Sequence, residues 1–456
     1  MPASGELPPR DVLVVSDRYP PDVAGGAELS LHLVLREPRL RDRVLVVTFD
    51  KALAAPARRS LDGVEILALP APAAWPLHRL SQARVDRLKR LPFRLKWPFF
   101  WAEAAAGGVR APGAALGPLA VRFSGEDPPG GLRMDHVTAR ESAAAGELRA
   151  LVRRLRPRLV HADNARAILL AAVALEGSRV PLLALVRDHR FTSARFDQTF
   201  EDAPADDWRG RVAALAAERA LRFRQEMLRR AARVAATSRH LAASLEGLLA
   251  ADRLVRLPLI PIASPAEAPG PRPADGRFRM LLVGALTPNK GQAHLLEAWP
   301  EIAARVPGAE IDVAGDGPSR PRLAEIAAAA RGRIRLHGRL APEALADLYA
   351  ACDVVVLPTL WDEPFGRVPL EAGGFARPVV AYAAGGLAET VRDGETGRLV
   401  RRGDRAGFIA ALAELAAAPE LRARMGAAGR RQALDHAPDR QASRLEALWQ
   451  EMMGSD

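Results

Sequence analysis

Short aliphatic runs punctuate this chain: Val12-Leu-Val-Val15, Val44-Leu-Val-Val47, Met280-Leu-Leu-Val283 and Val354-Val-Val-Leu357. They are apolar at every position rather than at every second one, which fits strands buried on both faces, as in parallel sheets. Between them lie longer Ala/Leu/Arg stretches with helical spacing, the rhythm of parallel α/β units. The pattern predicts strands at 11–15, 44–49, 64–69, 158–161, 182–186, 234–237 and 254–260, with helices at 28–36, 141–155, 165–175, 211–230 and 240–249. Residues 263–276, Ala-Ser-Pro-Ala-Glu-Ala-Pro-Gly-Pro-Arg-Pro-Ala-Asp-Gly, read as a linker, because repeated proline denies helix and central strand. A second α/β series follows, with strands near 279–284, 310–314, 333–337, 353–358, 378–382 and 398–400. It closes on helices at 404–417, 420–433 and 440–453.

Length agrees with this division: 456 residues exceed what one hydrophobic core usually supports. The expected layout is an N-terminal domain over 1–262, the linker 263–276, a C-terminal domain over 277–430 and a final segment 431–456. The rhythm lapses between 70 and 140, where proline, glycine and tryptophan collect, so this stretch is expected to be an irregular insertion. No apolar run approaches the roughly 18 residues of a membrane span, and the first residues lack the charged-then-apolar order of a signal peptide. Cytoplasmic residence is the expectation. The lone cysteine, Cys352, excludes an internal disulfide and a cysteine metal cluster, so no metal site is expected.

The net charge of +11 is lopsided. Residues 1–250 carry 39 Lys and Arg against 28 Asp and Glu, whereas residues 251–456 carry 26 of each. A basic first half would attract an acidic partner, such as a phosphorylated acceptor or an anionic lipid surface. Nothing resembles a nucleic-acid motif, and no nucleic-acid partner is expected. Residues 79–101 concentrate seven basic residues and one acidic residue among Leu80, Leu88, Phe93, Trp97, Phe99, Phe100 and Trp101. That mixture suits an interfacial membrane segment, although Pro92 and Pro98 divide it. The expected location is therefore the cytoplasm, with peripheral attachment to the inner face of the membrane.

Candidate chemistry gathers in the second series. Glu363 and Glu371 bracket the run Glu-Pro-Phe-Gly-Arg-Val-Pro-Leu-Glu after a strand-like stretch, which puts the first in a strand-to-helix loop and the second in the helix. Ligands of open α/β sheets bind at such carboxyl ends of strands, and carboxylates there can accept hydrogen bonds from sugar hydroxyls. Lys290 is one of only four lysines among 65 basic residues. It follows a buried strand and precedes a helix, a place suited to gripping a diphosphate. In order, the motifs are Val-Gly-Ala-Leu-Thr-Pro-Asn-Lys-Gly (283–291), Ala-Gly-Asp-Gly-Pro (314–318), Leu-His-Gly (336–338), Leu-Pro-Thr-Leu-Trp-Asp-Glu-Pro-Phe-Gly (357–366), Gly-Gly-Leu-Ala-Glu-Thr-Val (385–391) and Asp-Gly-Glu-Thr-Gly-Arg-Leu-Val (393–400).

This series resembles the nucleotide-sugar half of the family 4 glycosyltransferases, retaining enzymes of the GT-B fold. The resemblance implies two Rossmann-like, doubly wound parallel-sheet domains facing a cleft, with the final helix crossing back to the first domain. It implies transfer of a sugar from a nucleotide-diphosphate sugar to a hydroxyl of a glycan, a lipid-linked acceptor or a small molecule. No metal or further cofactor is implied, and a UDP-sugar donor comes before a GDP-sugar. Lys290 would hold the diphosphate, and Glu371 the ribose hydroxyls. Glu363, with the backbone amides of Phe365 and Gly366, would face the donor sugar and phosphates; Gly338 and Arg339 would present backbone to the base. Gly284 and the first-domain pair Gly25 and Gly26 would let backbone approach the donor closely. His161 and Asp163 fall at the family's reacting centre, and Asn164, Arg187 and Asp188 at the acceptor side.

Two departures stand out. Where the family has Gly-Arg-Leu, with an arginine on the diphosphate, this chain has Gly284-Ala285-Leu286; Arg367 and Arg18 are candidates to replace the charge. Where the family has a second histidine near the reacting centre, this chain has Asp163. Two alternatives therefore stay open: a nucleotide-sugar epimerase or coupling enzyme on the same scaffold, or a catalytically degenerate binding subunit.

Overall fold

A computed structural model describes residues 10–21, 26–50, 53, 55–70, 139–194, 218, 221–262, 264–265, 267, 269–270 and 275–454. The proposed insertion, its membrane-facing segment, Gly25, parts of the linker and most of the 211–220 stretch lie outside these residues.

The apolar runs form two sheets. The first contains β1 (Val12–Ser16), β2 (Val44–Asp50), β3 (Ala57–Leu61), β4 (Val64–Pro70), β5 (Leu159–Asp163), β6 (Leu182–Val186), β7 (Arg233–Ala236) and β8 (Leu254–Arg256), in the order β3-β4-β2-β1-β5-β6-β7-β8. All its pairings are parallel except the edge pair β3–β4. The second contains β9 (Phe278–Val283), β10 (Ala309–Ala314), β11 (Ile334–Gly338), β12 (Val354–Leu357), β13 (Val379–Tyr382) and β14 (Gly397–Val400), in the order β11-β10-β9-β12-β13-β14, parallel throughout. In each sheet the winding reverses beside the first strand, between β1 and β5 and between β9 and β12. Such switch points open a crevice at the carboxyl ends of the strands.

Hydrophobic clusters cover both faces of both sheets, which explains the unbroken apolar runs. The segment 254–260, read as one strand, pairs only over β8. Leu257 still donates its N–H to the Ala236 carbonyl (2.9 Å), but Pro258 has no N–H and Pro261 follows, so the chain leaves the sheet. The helix Pro438–Met453 lies on the first sheet rather than the second: Leu445, Leu448 and Trp449 pack with Val12, Val14 and Leu159. No helix among the described residues is long and apolar enough to cross a membrane.

His161 lies deep in the first half of the chain. The reading placed it at the reacting centre, yet its side chain is fully buried beneath the first sheet, edge-on to Trp449 at 5.9 Å. Neither ring nitrogen has a partner. Burial pushes its pKa down from 6.5 to about 4, so the ring is neutral near pH 7.

Two tests follow from this packing. The helix Val368–Gly374 lies so close to the helix Pro419–Leu434 that a Cβ on Gly373 would sit 2.5 Å from the Gly429 carbonyl oxygen. Gly373→Ala is expected to cost about 1–3 kcal/mol, read by urea unfolding. For His161, the folded pKa lies below the unfolded one. Its neutral form therefore stabilises the fold fully above pH 6.5, and that contribution is lost as pH falls towards 4. Stability is expected to decline across that window by up to about 1.4 kcal/mol per pH unit from this group, and His161→Leu should flatten the decline.

Candidate active site

The loop after β12 carries Glu363, and the turn after β9 carries Lys290. Two contacts bind these segments together. Leu360 donates its N–H to the Asn289 carbonyl (2.9 Å), and Gly291, with φ +69°, faces Pro358 so closely that a Cβ would lie 1.9 Å from its carbonyl oxygen. Glycine is required there both for the left-handed backbone and for the space. Lys290 Nζ consequently lies 2.5 Å from Glu363 Oε2, and the Trp361 indole N–H donates to the same oxygen at 3.0 Å. The ammonium also stands 5.2 Å from the centroid of the Trp361 ring. Both side chains of the pair reach solvent, 25% exposed for lysine and 18% for glutamate.

Glu371 sits in a different setting. It is 4% exposed, on the helix Val368–Gly374. One carboxylate oxygen accepts from Arg367 Nε (2.9 Å) and from the backbone N–H of Ile262 (3.4 Å), the other from the Tyr349 hydroxyl (2.9 Å). Burial, then the adjacent Glu371 charge, raises the Tyr349 pKa, so the phenol stays protonated and donates. The Arg367 guanidinium runs against Gly26: a Cβ there would lie 2.0 Å from its Nη2. Arg367 thus joins Glu371 to the start of the helix Gly26–Leu35 in the first half of the chain.

The remaining predicted residues divide. Gly284 (φ +146°) lies under Gly315, whose Cβ would meet the Gly284 carbonyl at 1.9 Å; the β9 and β10 loops touch backbone to backbone here. Gly366 (φ +82°) abuts Leu387. Gly338 ends β11, its carbonyl accepting from Gly315 N–H (2.8 Å), and Arg339 beside it is exposed. The Phe365 side chain is 2% exposed and packs near His436, which leaves its backbone amide, the group the resemblance points at the donor, to meet a ligand.

On the first-domain side, Asp163 is buried in a bidentate ion pair with Arg187, the Nη2–Oδ2 arm at 2.7 Å. Both Asp163 oxygens are taken by this pair, whereas Arg187 Nη1 is buried with no hydrogen-bond partner. Asn164 accepts from Ala167 N–H (3.1 Å) as the N-cap of the helix Ala165–Ala174, and Asp188 accepts from Arg190 N–H (3.0 Å) and pairs with Arg190. All four make structural contacts at the carboxyl ends of β5 and β6.

Sequence reasoning passed over His189, Ser238, Trp361 and Glu389. Glu389, in the Gly-Gly-Leu-Ala-Glu motif, accepts from the backbone N–H groups of Arg239 (3.0 Å) and His240 (2.9 Å), at the N-terminus of the helix Arg239–Ala243. It also lies 3.7 Å from Arg256 Nε. A carboxylate at a helix start is favoured by its free N–H groups and dipole, and here it ties the two sheets together. Only the residue types could have hinted at these partners, since each lies more than a hundred residues away in sequence.

Residues 266–432 match the family described as Glycosyl transferases group 1. The D-inositol 3-phosphate glycosyltransferase of Streptomyces scabiei is 35% identical over 181 residues, 34% of this chain and 40% of that protein. The GDP-mannose-dependent alpha-(1-6)-phosphatidylinositol monomannoside mannosyltransferase of Mycolicibacterium smegmatis is 36% identical over 166 residues, 34% of this chain and 43% of that protein. The chain thus spans about two fifths of the length of these curated relatives. Anabaena Alr3699/HepE, solved in complex with UDP, aligns over 96% of this chain and 100% of its own with a TM-score of 0.61 at 18% identity, a likeness of fold. Two parallel-sheet α/β units thus share the GT-B-like fold of this structure, and residues 266–432 match the glycosyl transferases group 1 model.

Proposed function

We propose that the protein is a retaining glycosyltransferase that moves a sugar from a nucleotide-diphosphate sugar to an acceptor hydroxyl. The observation that carries this reading is the meeting of Lys290, Trp361 and Glu363 at the carboxyl ends of β9 and β12. One cation and one carboxylate stand there beside the switch point of an open sheet, partly open to solvent. The arriving diphosphate takes Lys290 from Glu363, freeing the carboxylate to accept from sugar hydroxyls. As the bond from the anomeric carbon to the diphosphate oxygen breaks, negative charge grows on that oxygen, and a cation fixed there stabilises it. The acceptor hydroxyl bonds to the anomeric carbon on the face the diphosphate leaves, and its proton passes to the departing phosphate.

Arg367 supports the reading despite Ala285. Its guanidinium spans Glu371 and Gly26, so a second positive charge is present where the two halves meet. Glu371, in this reading, exchanges part of its present hydrogen bonding for ribose hydroxyls. Because it also holds the buried Tyr349 hydroxyl, Glu371→Gln tests its charge more cleanly than Glu371→Ala. The relatives' names leave both guanosine and uridine donors in play, and a calorimetric panel of UDP- and GDP-sugars is the direct measurement; no binding by any of them would sink the proposal. A lipid-linked acceptor fits the basic, aromatic composition of residues 79–101.

Two outcomes are expected. Lys290→Ala should lower kcat about 10²-fold or more with little change in thermal midpoint, since a solvent-reached ion pair contributes at most about 1 kcal/mol; near-normal turnover would refute its role. The protein should co-sediment with anionic liposomes at low salt and release at high salt, while absence of binding at low salt would remove the membrane-facing assignment.

A further inference from the structure

Three consecutive backbone oxygens in the Glu363 loop are each claimed by a donor, and two of the donors come from the other sheet. His189 Nε2 lies 2.9 Å from the Asp362 oxygen. The Ser238 hydroxyl donates to the Pro364 oxygen. Between them the Glu363 oxygen accepts from Gly386 N–H at 2.6 Å, within the second half. A carbonyl only accepts, so His189 Nε2 carries a proton, and the Thr192 hydroxyl stands 3.1 Å from its other nitrogen. Ser238 is fully buried and also accepts from Leu241 N–H (2.9 Å) as a helix cap, so its one proton is directed at Pro364. Both residues stand just beyond the carboxyl ends of first-sheet strands, His189 after β6 and Ser238 after β7.

The grip reaches the carboxylate by a second route. The His189 ring lies edge-on to Trp361, centroids 6.1 Å apart, and the indole N–H donates to Glu363 Oε2. Moving His189 away would release the backbone on one side of Glu363 and the indole that orients its side chain. We propose that His189 and Ser238 are positioning residues: they hold the 361–364 loop in its working geometry only while the two sheets are docked, so that docking steadies the Glu363 side of the Lys290–Glu363 pair. The inference deepens the sugar-transfer reading and rests on it for its kinetic consequence, though the clamp is a physical claim by itself.

The test compares His189→Ala, His189→Gln and Ser238→Ala with the wild-type chain. Hydrogen exchange over residues 360–366 in the free protein is expected to quicken about fivefold to tenfold in the two alanine variants, the size of one lost hydrogen bond. His189→Gln, which keeps a donor, should restore it. Where a donor sugar has been found, His189→Ala should lower kcat about 10²-fold with KM for the donor changed less than about twofold, again with recovery in His189→Gln. Wild-type exchange in both alanine variants overturns the clamp. Faster exchange with unchanged kcat overturns the coupling to catalysis. A wild-type chain that transfers from no nucleotide sugar defeats the sugar-transfer reading instead, and the exchange result still decides the clamp.

Discussion

Everything at the candidate site hangs on how a ten-residue irregular connection, from β12 to the helix Val368–Gly374, is kept in one shape. A loop has no ladder of its own, and each buried carbonyl without a donor would cost about 1–3 kcal/mol. Here the donors are supplied from outside: Gly386 from the next loop of the same sheet, His189 and Ser238 from the other. The glycine pair makes the local contact possible, because a Cβ on Gly385 would meet the Glu363 oxygen at 2.5 Å and one on Gly386 the Phe365 Cα at 2.7 Å. The Gly-Gly motif and the Glu-Pro-Phe-Gly motif are thus two sides of one backbone contact. That is a physical reason for finding both in one chain.

Much of this architecture was legible because parallel sheets advertise themselves. Val12-Leu-Val-Val15 and Val354-Val-Val-Leu357 leave little alternative to doubly covered strands, and loops at their carboxyl ends locate the crevice. β3 escaped notice for the converse reason. Ala57-Arg-Arg-Ser-Leu61 is an antiparallel edge with no fully buried position, so its composition is that of a surface. For His161, chain position alone does not say how deep the side chain lies. It shares a sheet face with Asp163, two residues on, but one step further from the strand end, where Trp449 covers it. The covering residue is nearly three hundred positions away, and no local pattern announces such a contact. The same holds for Glu389, whose partners at 239 and 240 start a helix in the first half of the chain.

The two glutamates show how environment divides like chemistry. Glu371 is buried and receives three donors, from Arg367, Ile262 and Tyr349, which hold it in place. Glu363 is met by a lysine and an indole and keeps access to solvent. Its partner can be exchanged. Sequence spacing gave both residues the same standing, and only the difference in burial and donors separates a tightly held carboxylate from one that can be released.

That difference bears on how a doubly charged donor could enter. A diphosphate must find cations that are not irrevocably spent. Arg187 is tied down: two of its donors lie on a buried Asp163, with only Nη1 left over, and breaking such a pair strands a charge in the interior. Lys290 is not. Its pair with Glu363 is solvent-reached, so separating the two costs at most about 1 kcal/mol, and the freed carboxylate gains access to water or sugar rather than to apolar surroundings. The resting ion pair therefore keeps the ammonium pointed into the crevice, over the Trp361 ring, without holding it against a stronger anion. A chain that uses arginine nearly everywhere has a lysine here, and under the proposed sugar transfer a compact cation at this position would change partners.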